Sequence, residues 1–158
     1  MKDVSLEGHS MAPRRVSFDG GIDGLAGYLF LPPGDGPFPC VIDNHGSATP
    51  PGTTDLSHPQ TAALFLSWGC AYLFPHRAGY GDSAGTPLSV AVTAPRGTAE
   101  HDTQMAERLT EENRDVLSTL AFAASRDDID ETRIVAMGSS LGGIHTLMAL
   151  AADTRWKC

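Results

Sequence analysis

Cysteine, positive charge and long apolar runs are all scarce in this chain. The three cysteines, Cys40, Cys70 and Cys158, are an odd number without C-x-x-C spacing. Buried thiols in a reducing compartment fit them better than a disulfide framework or redox chemistry. Eleven Lys and Arg stand against nineteen Asp and Glu, a formal net charge of −8. With no basic run to offset it, that balance repels polyanions, and nucleic acid is not an expected partner. No stretch approaches the ~20 apolar residues that span a bilayer, and Met1-Lys2-Asp3-Val4-Ser5 lacks the apolar core of a secretory signal. The expectation is a soluble, cytoplasmic protein without a membrane partner. The six histidines show no H-x-x-x-H pair and no neighbouring cysteine pair, so no metal is expected. The acidic run Asp127-Asp128-Ile129-Asp130-Glu131 lacks the spaced ligands and glycine of a calcium loop. It reads as a solvated helix-to-strand turn.

What is present is enough apolar residue, 41% of 158, to fill one core, and no repeat or linker divides the chain. A single domain over residues 1–158 is expected. Arg14 to Asp19 alternates polar and apolar side chains before Gly20-Gly21, as an edge hairpin would, with Leu25 to Leu31 as its partner. The proline-rich Pro32 to Pro37 must be a turn. Cys40-Val41-Ile42, Cys70 to Phe74 and Arg133 to Met137 are short continuous apolar runs, the signature of strands buried on both faces of a parallel sheet. Thr61 to Trp68, stopped by Gly69, reads as a crossover helix. Gly79 to Gly97 reads as a surface loop. Met105, Leu109, Val116, Leu117, Leu120 and Ala124 form an apolar stripe on an otherwise solvated helix, and Leu141 to Ala152 forms another helix. Strands alternating with helices after an antiparallel start predict an α/β fold.

The chemistry is concentrated in Gly138-Ser139-Ser140-Leu141-Gly142, a G-x-S-x-G between a buried strand and a helix. Small residues at 138 and 142 permit a sharp strand-to-helix turn that exposes the Ser140 hydroxyl. The N–H of Leu141, at the new helix's N-terminus, can then donate to a developing oxyanion. The bland alternative is a Gly/Ser-rich turn that merely starts a helix. Gly79-Tyr80-Gly81 with Gly85 is like a dinucleotide fingerprint, but Thr86-Pro87 stands where a helix should open, so a turn is the better account.

With these blocks in view the chain resembles the α/β-hydrolase superfamily, in its dienelactone-hydrolase-like and peptidase-like esterase branch. Asn44-His45-Gly46-Ser47 is similar to the family's oxyanion loop, Arg77 to Ser83 to its R-G-x-G-x-S turn with Ala78 as an extra residue, and the elbow at Ser140 to its nucleophile. The likeness covers about residues 14 to 152. It implies a partial α/β-hydrolase fold, a mostly parallel sheet with an antiparallel N-terminal edge, lacking the C-terminal strands. It also implies Ser140 as nucleophile, Leu141 with Ser47 or Gly46 as oxyanion donors, a small acyl or ester substrate, and no cofactor.

In that family the acid and then the base follow the serine along the chain, whereas no histidine follows His145 here. The sequence therefore reads as the N-terminal portion of a hydrolase. His145 falls about 140° round the helix from Ser140, facing the interior or a neighbouring helix as a packed histidine. His45 and His76 end strands near Ser140 and are the candidate substitute bases, with a loop-shaping role the alternative for His45. His9, His58 and His101 read as solvated. Two functions follow: a serine hydrolase working through a Ser140 acyl-enzyme, weak or incomplete as this chain, or a catalytically silent module that binds or oligomerises. In either case Arg133 to Met137 is expected to leave an unprotected sheet edge, open to self-association.

Overall fold

The computed structural model describes residues 12–21, 23–47 and 58–157 in full, and residues 5–6 and 9–10 by their backbone. Two short strands, β1 (Ser5–Leu6) and β2 (His9–Ser10), pair with each other. Among the described residues the main sheet has five strands: β3 (Arg14–Phe18), β4 (Leu25–Phe30), β5 (Phe38–Asn44), β6 (Ala71–His76) and β7 (Ile129–Gly138), in the order β3-β4-β6-β5-β7. The β3–β4 and β4–β6 pairings are antiparallel and the β6–β5 and β5–β7 pairings parallel, so β4 alone runs against the rest.

Between the strands lie α1 (Pro59–Ser67), α2 (Leu88–Ala91), α3 (Ala99–Ala124) and α4 (Leu141–Ala152). Proline opens α1, where its missing N–H costs nothing. Gly69 and Cys70 close it by donating to the carbonyls of Leu66 and Phe65, with Gly69 in the left-handed conformation. At the start of α3 the Thr98 hydroxyl accepts from the His101 amide, and Glu100 and Asp102 complement the helix dipole.

One face of the sheet packs against α3 and α4 through an aliphatic cluster that includes Leu29, Cys40, Ile42, Leu73, Val116, Leu120, Ile134 and Ala149. The other packs against α1 through Tyr28, Phe30, Val41, Ala62, Leu66, Tyr72 and Phe74. Among the described residues, no helix is long and apolar enough to cross a membrane.

Several expectations are corrected. The segment after β6 is not a surface loop throughout: Tyr80 and Ser83 are buried, and α2 lies within it. The Ser83 hydroxyl donates to the His76 carbonyl and accepts from the Ala26 amide, fastening the turn onto two strands. The acids of α3 are not all solvated, since Glu112 and Asp115 are buried. The run from Asp127 to Glu131 is only partly a turn, because β7 already begins at Ile129, four residues before the apolar run suggested. Cys70 is half-buried rather than buried, and Cys158 lies outside the described residues. Among the described strands β7 pairs with β5 alone, but its edge is not wholly open. Trp156 is buried in the aliphatic core, and the Lys157 amide donates to the Ile134 carbonyl at 2.8 Å.

Candidate active site

Strand β7 ends at Gly138 and α4 begins at Leu141, leaving two residues to reverse the chain. The turn is tight enough that a Cβ on Gly138 would fall 2.4 Å from the Gly142 carbonyl oxygen. A Cβ on Gly142 would fall 1.8 Å from the carbonyl oxygen of Asn44, at the end of β5. The two glycines of the motif are therefore required by close backbone approach, and the second presses α4 directly onto the neighbouring loop. Ser140, between them, has φ 53° and ψ −126°, a conformation outside the wells open to a residue with a side chain. It is exposed, as is Ser139.

Across the turn, a Cβ on Gly46 would stand 3.4 Å from Ser140 Cβ and 3.9 Å from its hydroxyl oxygen. The loop from Asn44 to Ser47 thus faces the elbow across a gap that a methyl group on Gly46 would close to van der Waals contact. Ser47 is exposed one residue further along. Leu141, the first residue of α4, belongs to the turn whose N–H groups have no carbonyl within the helix. The structure therefore brings Ser140, Leu141 and Gly46 together at the carboxyl end of the sheet.

The substitute bases are differently placed. The His45 ring is buried with both nitrogens in use: Nδ1 donates to the Gly46 carbonyl at 2.7 Å, and Nε2 accepts from the Arg77 amide at 3.2 Å. Burial first, then the Arg77 charge, holds its pKa well below 6.5. These bonds shape the loop and leave no free lone pair for a proton from Ser140. His76 is also buried, and its Nδ1 accepts from the Asp82 amide at 2.9 Å. The proton then sits on Nε2, which has no hydrogen-bond partner among the described residues. A Cβ on Gly81 would fall 2.2 Å from His76 Nδ1, so the glycine of this turn serves the imidazole and not a phosphate. Among the described residues, Ser140 Oγ has no hydrogen-bond partner.

Two arrangements have no counterpart in the sequence-based expectations. On the α1 face, Asp43 Oδ2 accepts from the Tyr72 hydroxyl and from His58 Nδ1, the latter at 2.9 Å, with the His58 ring 4.5 Å from that of Phe74. His58 is therefore paired and only partly solvated. His101 is largely covered, and the side chain of His9 lies outside the described residues. On the α3–α4 face, buried Glu112 accepts from Arg77 Nε at 3.0 Å, Arg108 Nε at 3.2 Å, Tyr80 Oη at 3.3 Å and His145 Nε2 at 3.0 Å. Burial alone would raise the Glu112 carboxyl. The hydrogen bond from His145 and the charges of Arg77, His145 and Arg108 outweigh it and hold the group below the usual carboxylate range. Residues 112, 116 and 120 share one helical stripe, and this periodicity could have singled out Glu112 as an acid among core positions.

A sheet of this order with a serine on a strained turn between strand and helix is the fold of the α/β hydrolases. An α/β hydrolase from Penicillium sp. sh18 superposes with a TM-score of 0.68 at 24% identity, over 92% of this chain and 43% of that one. The acetyl xylan esterase from Paenibacillus sp. R4 does so with a TM-score of 0.67 at 24% identity, over 99% and 49%. More particularly, the chain belongs to the prolyl oligopeptidase family, whose model matches residues 58–158, on the peptidase-like side of the resemblance. A quorum-quenching protein, AidA, from Acinetobacter baumannii is 30% identical over 151 residues, which make up 96% of this chain and 43% of that protein. The chain thus spans about two fifths of the length of the curated relatives it matches.

Proposed function

We propose that this chain carries the nucleophile and oxyanion site of a serine hydrolase acting on carboxylic esters or related acyl compounds. The observation that carries the reading is Ser140 itself: exposed, strained at φ 53°, and facing Gly46 across a gap that a methyl group would fill. Ser140 Oγ attacks the acyl carbon, and the carbonyl electrons move to oxygen, which accepts from the N–H groups of Leu141 and of Ser47 or Gly46. Collapse breaks the acyl–oxygen bond, the departing oxygen takes the proton given up by the Ser140 hydroxyl and leaves as the alcohol, and an acyl-serine remains. Water then attacks that ester, releasing the acid and restoring the hydroxyl. The named esterase among the structural neighbours supports acyl chemistry of this kind. No described histidine is hydrogen-bonded to Ser140, so turnover by these residues alone rests on the oxyanion donors, a residual ~10³–10⁴-fold over water in triad enzymes stripped of their base. A fluorophosphonate probe tests the assignment. It should label the wild type and the Ser139→Ala variant but not Ser140→Ala, and persistent labelling of Ser140→Ala would remove Ser140 from this role.

A second reading, a silent module that pairs with another copy of itself, is favoured by one observation. The edge strand β7 lies beside α4, which exposes Ile144 and Leu147. Sedimentation across a concentration series should then show a dimer, and a monomer at every concentration would refute this reading.

A further inference from the structure

We infer that Glu112 is a positioning residue for the oxyanion site, a single buried carboxylate that fixes both the loop bearing Gly46 and the helix bearing Leu141. This rests on the reading of Ser140 as nucleophile. The Glu112 side chain is fully buried, where a carboxylate is costly unless donors surround it. It has four, and they come from three places. Arg108 lies on its own helix, Arg77 and Tyr80 on the turn after β6, and His145 on α4.

From Arg77 the connection runs to the oxyanion loop. Its Nη1 donates to the His45 carbonyl at 2.8 Å, its amide donates to His45 Nε2, and His45 Nδ1 donates to the Gly46 carbonyl. From His145 the connection runs to the elbow, since that residue lies on the first turns of α4, five positions after Ser140. The two walls meet where the missing Cβ of Gly142 faces the Asn44 carbonyl, so a shift in either changes the spacing of the donors. A salt bridge serving stability alone has no need to hold both walls and is often replaced without loss by apolar packing.

The test uses Glu112→Gln, which keeps the shape but turns one acceptor oxygen into a donor. Leu120→Ala, a cavity on the same face, serves as the control for lost stability. The readouts are the backbone amide resonances of Gly46 and Leu141 and the rate of fluorophosphonate reaction at Ser140. Glu112→Gln should move both resonances and slow labelling by on the order of tenfold to a hundredfold, while Leu120→Ala leaves both near wild type even at a lower melting temperature. Unmoved resonances in Glu112→Gln, or equal shifts in the two variants, would overturn the inference. If Glu112→Gln does not fold, single-arm variants decide. Arg77→Lys should displace Gly46 more than Leu141, His145→Gln should do the reverse, and the same pattern from both would overturn it. A wild type that is never labelled would sink the nucleophile reading alone, because the resonances report on Glu112 regardless.

Discussion

On the face covered by α1 the core is rich in aromatic residues, and a small polar set, Asp43 with Tyr72 and His58, sits where His58 keeps 42% of its side chain exposed. On the face covered by α3 and α4 the core is aliphatic, yet it holds Glu112, Arg77 and His145, each with a side chain no more than 2% exposed. His58, at the rim, exchanges its bond for water when the pair is broken, while buried Asp43 keeps the Tyr72 hydroxyl, so little is lost. A sealed set cannot, and losing one member strands the others. The sheet therefore has a tolerant face and an intolerant one, and the elbow is built against the intolerant one.

The largest effect should come from Gly142→Ala on that intolerant face. Its new methyl would collide with the Asn44 carbonyl, which is backbone and cannot swing aside. A loss of about 4 kcal/mol or more is expected, read by urea denaturation, and a variant as stable as wild type would erase the contrast.

A middle effect tests whether the aromatic face is tolerant where it is buried. Burial pushes His76 down to about 4 from 6.5, with Asp82 opposing and Arg15 adding to the depression. As pH falls through 6.5 the unfolded chain takes up a proton that the folded chain refuses until about 4. The stability present above 6.5 is therefore lost progressively across that window, on the order of 3 kcal/mol. Denaturation midpoints measured on either side of the window should show it. His76→Asn, which retains an acceptor for the Asp82 amide, should flatten the slope.

The smallest change belongs to His58→Ala at the rim, at about 1 kcal/mol or less by the same measurement. A loss as large as that of Gly142→Ala would mean that the faces do not differ.

Much of the fold was legible because its signals are local. The runs at Cys40 to Ile42 and Ala71 to Phe74 mark buried strands, Gly69 marks the end of α1, and Gly138 and Gly142 with Ser140 mark the elbow. The partners of Glu112 were hidden because Arg77 and His145 lie 35 and 33 residues away, and the stripe of residues 112, 116 and 120 marks an acid that turns inward but not what it meets there. Proline and glycine after β6 correctly announced turns but carried no information on burial, which Tyr80 and Ser83 acquire only by meeting α3 and β4. His58 looked solvated because its neighbours in sequence are polar. What captures it is Asp43, which the alternation of β5 turns toward the α1 face.

The backbone of Ser140 has a consequence for how such a protein changes under selection. A glycine at this position would hold φ 53° without strain, so substitution there can relieve the fold while deleting the hydroxyl that the proposed acyl chemistry needs. Libraries screened for thermal resistance alone would then enrich for inert variants at residue 140. Relaxed purifying pressure on a duplicated copy would point the same way.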